Sequence, residues 1–148
     1  MEIVVAELED INELSELFNA YRVSSQQDSD LAGAEDFLRQ GLENQESYSW
    51  LAIPEEQVVG FVMLYPSFSS GKQAQQWQLS DLYVTPSARG QGVAQALIKE
   101  VLAFSQGTES PIFIEIPEDQ SVTQGLYESM GFIREKNDLF FYGTERND

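Results

Sequence analysis

The spacing of apolar positions changes several times along the chain, and each change marks an element. Residues 2–6 (Glu-Ile-Val-Val-Ala) predict a first strand. Ile11, Leu14, Leu17, Phe18 and Tyr21 then recur at helical spacing. Asp10 stands as N-cap of that helix, and Glu13 completes a capping-box pattern. The helix should end near Val23, before a polar run over residues 24–30. A second helix, residues 31–44, carries Leu31, Ala34, Phe37, Leu38 and Leu42 as its inward stripe. Tyr48–Ile53 reads as a strand, residues 54–57 as a hairpin turn, and residues 58–64 as the partner strand. The near-unbroken apolar run of that partner predicts burial on both faces. Residues 65–71 read as a polar, aromatic-studded loop and 76–84 as the next strand. A helix over 92–105, a strand over 111–116 and a short helix over about 121–130 stopped by Gly131 follow. Residues 132–134 and 139–142 close the chain as short strands. The predicted order is β-α-α-β-β-β-α-β-α-β-β, an α/β chain with a mixed sheet and no internal repeat or linker.

The most informative stretch is the strand-to-helix passage from Leu82 to Ile98. Leu82, Tyr83 and Val84 are strand formers, and Pro86 ends any ladder because it has no N–H to donate. Gly90 and Gly92 allow a tight turn, and Val93, Ala96, Leu97, Val101 and Phe104 then follow helical spacing. A helix entered through such a loop offers free N–H groups and a positive dipole end, which together suit an anion, most often phosphate. The loop has no Gly-Lys-Ser/Thr of a P-loop and lacks the three glycines of the dinucleotide fingerprint.

Composition narrows the chemistry. The 148 residues predict a single domain with one core, and the 42% hydrophobic fraction argues for a packed globule. No apolar run reaches the ~18 residues of a membrane span, and no charged-then-apolar leader is expected. Cysteine and histidine are both absent, which excludes disulfides, thiolate or imidazole metal sites, a Cys nucleophile and the Ser-His-Asp triad. Proton chemistry must use Asp, Glu, Tyr, Lys, water or the backbone. A net charge of −17 repels nucleic acid and anionic membranes. It attracts cationic ligands or serves solubility alone. The charge is uneven, because residues 1–80 hold fourteen acids but only Arg22, Arg39 and Lys72 to oppose them.

Arg89, Gly92 and Ala94 fit an Arg/Gln-x-x-Gly-x-Gly/Ala pattern that resembles the signature of the GNAT N-acetyltransferases. Leu126-Tyr127-Glu128-Ser129-Met130-Gly131-Phe132 resembles a stretch found some way after that loop in many of these enzymes. Three further stretches look like one branch of the superfamily: Leu17-Phe18-x-x-Tyr21-Arg22, Leu64 through Ser70, and Trp77-x-Leu79-x-Asp81-Leu82-Tyr83-Val84. That branch holds small bacterial enzymes and relatives of the yeast-type histone and polyamine acetyltransferases. The chain departs from the family at three places, the first being Ala94 where the last small residue of the loop is usually Gly. Asp119-Gln120 stands where Asp-Asn is usual, and Ile116-Pro117 where Thr-Ala is usual.

The resemblance implies a central mixed twisted sheet flanked by about four helices, in one domain over residues 1–148. It implies a cytoplasmic N-acetyltransferase, with a homodimer allowed, that moves the acetyl group of acetyl-CoA to a primary amine of a small cationic molecule. The transfer would be direct, in a ternary complex, with no metal, no nucleic acid and no membrane. The alternatives are a protein or peptide N-acetyltransferase, or a CoA-binding module without activity. The cofactor would lie against Leu82, Tyr83 and Val84 and the loop Arg89, Gly90, Gln91, Gly92, Val93 and Ala94, with Gln120 in the place of the family's Asn. Tyr127 would be the general acid, its phenol able to protonate a thiolate of comparable basicity. Asp81 is the first choice of base, placed by strand alternation with Tyr83 on the face opposite Leu82. Its plainer reading is a strand-edge acid with a structural partner. Tyr21, Arg22, Tyr65, Ser67 and Ser69 are acceptor-pocket candidates by resemblance. Tyr21 could equally be core, and Arg22 a salt-bridge partner.

Overall fold

The computed structural model describes residues 1–143, arranged as two compact units, the first Met1–Glu115 and the second beginning at Ile116. In the first unit the elements run β1 (Glu2–Val5), α1 (Ile11–Ser24), α2 (Leu31–Glu43), β2 (Tyr48–Ile53), β3 (Gly60–Ser69), β4 (Ala74–Val84), α3 (Val93–Thr108) and β5 (Ile112–Phe113). The strands form one sheet in the order β1-β2-β3-β4-β5. The first four are antiparallel neighbours, while β5 returns parallel to β4 after α3, so the sheet is mixed.

Both faces of the sheet are covered, which is why residues 60–64 are apolar without alternation. Phe61 and Met63 pack with Ile11, Leu14, Leu17 and Phe18 of α1 and with Ala34 and Leu38 of α2. On the other face Trp50 and Trp77 meet Phe104 of α3 at ring-centroid distances of 5.0 and 5.1 Å. Gly60 makes that second layer fit. A Cβ there would stand 3.0 Å from the Tyr83 carbonyl and 3.3 Å from Val93 Cγ1.

β4 contains the irregularity that matters most. Met63 pairs with Asp81 but Leu64 pairs with Leu79, so Ser80 is an extra residue in a β-bulge. The bulge switches the faces of the strand. Trp77 looks toward Phe104 of α3, while Tyr83, an even number of residues later, meets Tyr21 of α1. Without the extra residue those two side chains would share a face.

The second unit holds α4 (Ser121–Ser129), ended by Gly131 at φ 101°. Arg134 reaches back to the Gln124 side chain at 2.9 Å and to Glu128 at 3.7 Å.

Several expectations need correction. The strand over 76–84 begins at Ala74, and β3 runs on to Ser69 through the stretch read as a loop, because residues 65–69 pair in full with residues 74–78. The strand over 111–116 shrinks to Ile112–Phe113. No strand forms at 132–134 or 139–142. Their apolar residues favour extended backbone, but a strand exists only where a ladder partner completes it. Leu31 and Phe37 are exposed rather than inward, leaving Ala34, Leu38 and Leu42 as the stripe of α2. Asp10 does precede α1, but its carboxylate accepts from the Glu7 N–H at 2.9 Å instead of capping the helix.

Candidate active site

The first part of the site is the loop before α3. Pro86–Ala88 forms a single 3₁₀ turn, and Gly90 (φ 76°) and Gly92 (φ 81°) take left-handed backbone. Gly92 is the N-cap of the 16-residue helix α3 and, having no side chain, offers no capping bond. The first amide bond back into the helix runs from Ala96 to the Gly92 carbonyl at 3.1 Å. The N–H groups of Val93, Ala94 and Gln95 therefore have no partner inside the helix. No atom lies within 4 Å of where a Cβ on Gly90 or Gly92 would stand. The result is an open, exposed nest of amides at a positive helix end, a cradle suited to a pyrophosphate. Gln95 was absent from the sequence reading, and helix counting from Gly92 could have found it. Arg89 is placed differently from expectation. Its amide closes the 3₁₀ turn onto Pro86, its Nε donates to the Val84 carbonyl at 2.9 Å, and its guanidinium lies 5.5 Å over the Tyr83 ring. One of its five N–H groups is thus used to fix the fork beside the cradle.

The second part is the end of β4. Its pairing with β5 stops after Trp77 and Gln78, so among the described residues no strand covers its outer edge at Leu82, Tyr83 and Val84. An extended amide-bearing chain could lie along that edge as an added strand.

The third part is a polar cluster on the α1 face. Asp81 is half-buried, and the Ser80 hydroxyl donates to its Oδ2 at 2.7 Å. The Tyr21 phenol is hydrogen-bonded to the same carboxylate. Burial pushes the Asp81 carboxyl above the ordinary range, and the bonds from Ser80 and Tyr21 pull partly the other way. Tyr21 and Tyr65 are both pushed up to about 12, first by burial and then by the Asp81 charge. Among the described residues the ion pairs are Glu35–Arg39 and Glu128–Arg134, so Asp81 has no cationic partner there. Tyr21 is held by ring contacts to Phe61 and Tyr83 at 6.1 and 6.2 Å. Ser80, which the sequence reading passed over, belongs to this cluster, as the bulge brings it beside Asp81.

The remaining expected residues have surroundings of their own within each unit. Ser67 and Ser69 share the Tyr65 face of β3 but run on ~7 and ~13 Å along the strand. Ser69 Oγ accepts from the Lys72 amide in the hairpin turn. Arg22 donates to the Asp28 carbonyl at 2.9 Å and, with Asn19, pins the loop between α1 and α2. Asp30 caps α2 through the Gly33 amide, and Glu35 pairs with Arg39, so two of the acids near that loop have structural duties. In the second unit Gln120 is exposed at the N-terminus of α4. Tyr127 of that helix is 3% exposed, its ring edge-on to Phe132 at 5.3 Å.

The sequence profile of the acetyltransferase (GNAT) family matches residues 11–132, spanning both units. The chain belongs to this acetyltransferase family. It is 35% identical over 133 residues to an uncharacterized N-acetyltransferase, YhfO, of Bacillus subtilis (strain 168), covering 89% of each chain. It is 32% identical to a probable acetyltransferase of Haemophilus influenzae, covering 95% of this chain and 96% of that one. A crystal structure of a probable acetyltransferase, 35% identical, superposes with a TM-score of 0.89 over 100% of this chain and 99% of its own. Two more distant structures share the fold. A ribosomal-protein-alanine N-acetyltransferase from Brucella melitensis is 19% identical, with a TM-score of 0.78 over 97% of this chain and 100% of its own. An aminoglycoside N-acetyltransferase in complex with CoA is 16% identical, with a TM-score of 0.82 over 96% of this chain and 93% of its own. The GNAT acetyltransferase described here is therefore an acyltransferase enzyme of a family that uses acetyl-CoA. No helix among its described residues is long and apolar enough to cross a membrane.

Proposed function

We propose that this GNAT enzyme acetylates a primary amine of a small cationic molecule by direct transfer from acetyl-CoA in a ternary complex, both units serving one catalytic domain. The observation that carries the reading is Asp81: a half-buried carboxylate between two phenols, with no cationic partner among the described residues. An ammonium ion supplies the missing charge. The distant fold neighbours bear names that span aminoglycoside and ribosomal-protein acceptors, so the fold leaves the acceptor open and the site must argue for it.

The residues divide the work by their chemistry. The amides of Gly90, Gln91, Gly92, Val93 and Ala94 hold the pyrophosphate, with the free part of the Arg89 fork as charge partner. The outer edge of β4 at Leu82, Tyr83 and Val84 takes the pantetheine arm, with Gln120 as a further contact. Bound acetyl-CoA supplies a thioester carbonyl as electrophile. The bound ammonium first gives one proton to Asp81, whose raised affinity for protons suits it to the task. The freed lone pair forms the new C–N bond, the C–S bond breaks with its pair going to sulfur, and the second proton leaves the acylated nitrogen for water. Tyr127, through the resemblance of its heptapeptide, returns a proton to the sulfur. Tyr21 and Tyr65 wall the ammonium site, with Arg22, Ser67 and Ser69 farther out.

A screen that follows CoA release tests the reading. Turnover of diamines, amino sugars or amino acid amides at low salt, with KM rising at high ionic strength and kcat steady, supports it. Exposed charges are screened within about 10 Å at 0.1 M salt. Acetylation of Lys-bearing peptides with no small amine turned over makes the enzyme a protein acetyltransferase. CoA binding with no turnover of either panel makes it a binding module.

A further inference from the structure

The Asp81 carboxylate is gripped from two elements. Ser80 exists in the strand only as the extra residue of the bulge, and its hydroxyl donates to Oδ2 at 2.7 Å, the length of a charge-assisted bond. It is also hydrogen-bonded to the Tyr65 side chain. From α1 the Tyr21 phenol bonds the same carboxylate, and its ring is wedged edge-on against Phe61 and Tyr83. A carboxylate offers about four acceptor positions. Two hydroxyls that occupy part of them fix its plane and leave the rest for the proton it must receive.

We propose that Ser80 and Tyr21 are positioning residues that hold Asp81 in the orientation from which it accepts the acceptor's proton. The proposal rests on the reading of Asp81 as the base. The titratable groups facing Asp81 are the phenols of Tyr21 from α1 and Tyr65 from β3. Both stay protonated through the working range, so their hydroxyls remain donors while Asp81 titrates.

The test combines a titration that needs no acceptor with kinetics on the panel amine that wild type turns over fastest. Protein labelled at the Asp side-chain carboxyl carbon is titrated by NMR, and the Asp81 signal is identified by its loss in Asp81→Asn. Ser80→Ala should move the Asp81 midpoint up by ~1 pH unit, the size expected for losing one hydrogen bond to a charged group. It should lower kcat ~10-fold with the KM for acetyl-CoA unchanged, the scale of a misplaced reacting group. Ser80→Thr keeps the hydroxyl and should restore both. Tyr21→Phe should act in the same direction, which keeps the test open if Ser80→Ala fails to fold. A Ser80→Ala protein with a lower melting temperature but an unmoved midpoint and kcat would make the hydroxyl structural and overturn the proposal. Asp81→Asn at full activity would instead overturn the base assignment itself. An inactive Asp81→Asn beside unaffected Ser80→Ala and Tyr21→Phe would sink the positioning role alone.

Discussion

Gly92 allows the phosphate cradle to be tested against the fold that carries it. Its φ of 81° and ψ of 11° lie in left-handed space, and nothing stands within 4 Å of a built Cβ. Gly92→Ala therefore pays no steric packing cost, only the backbone one of about 1–2 kcal/mol. A less flexible unfolded chain returns about 0.4–1 kcal/mol of this. The net loss of about 1 kcal/mol corresponds to a fall of ~2–4 °C for a chain of this size. Gly92→Asp should cost the free enzyme less. Asp tolerates left-handed backbone better than Ala, and its carboxylate at the N-terminus of α3 gains about 0.3–1 kcal/mol from the helix dipole.

With ligand the order reverses. Wild type at CoA one hundred times the dissociation constant should gain ~2.7 kcal/mol, or roughly 5–11 °C. In Gly92→Asp a carboxylate stands among the amides that would meet the pyrophosphate. A like-charge pair near ~4 Å at a protein surface costs up to about 4 kcal/mol, and partial screening leaves ~2–3. That is a loss of roughly 30- to 150-fold in affinity, enough to remove most of the shift. Differential scanning calorimetry with and without CoA reads both effects. Gly92→Asp with wild-type CoA affinity would refute the cradle. A free Gly92→Asp melting far below Gly92→Ala would show that the loop is packed rather than open.

Tyr127→Phe should keep CoA binding and lower kcat ~10²–10⁴-fold if the phenol is the acid; unchanged turnover, measured by thiol release, would leave Tyr127 as the packed partner of Phe132. Asp81→Asn should be more stable than wild type at neutral pH, because burial raises the carboxyl's proton affinity and folding then disfavours its charged form. The sign follows: wild type loses stability as pH rises through the folded-state value, so the gap between the two should close below pH ~4. Thermal melts across pH check it, and a gap independent of pH counts against the burial. Tyr21 and Tyr65 should titrate near 12, so stability that they contribute is present below ~10 and lost as pH rises toward the folded value. Ultraviolet titration of the phenolates should show Tyr21 and Tyr65 late, and the loss of that late signal in Tyr21→Phe/Tyr65→Phe assigns it.

How much of this was legible in the sequence depends on whether local or long-range partners fix each feature. The cradle was legible because its parts are consecutive. Pro86, two glycines and an apolar helical stripe specify turn, nest and helix without reference to anything distant. The double burial of residues 60–64 was legible for a similar reason, since a run without polar positions has no face to give to water. The limits of β2 were legible, but those of β3, β4 and β5 were not. Residues 65–69 carry Pro66 and two serines, which locally favour a loop, yet they extend β3 because residues 74–78 complete their ladder. Residues 139–142 are the opposite case, with strand-forming side chains and no ladder among the described residues. The bulge at Ser80 lies deepest. Alternation within residues 81–84 correctly joins Asp81 to Tyr83, but carried back through Ser80 it would put Trp77 and Leu79 on the same face. Only the register against Met63 and Leu64 shows the switch, and that register is a property of two strands. The bulge lets Trp77 and Leu79 bury toward α3 while Asp81, two residues on, meets Tyr21 of α1. One inserted residue thus separates a core strand from a reactive one within a single segment.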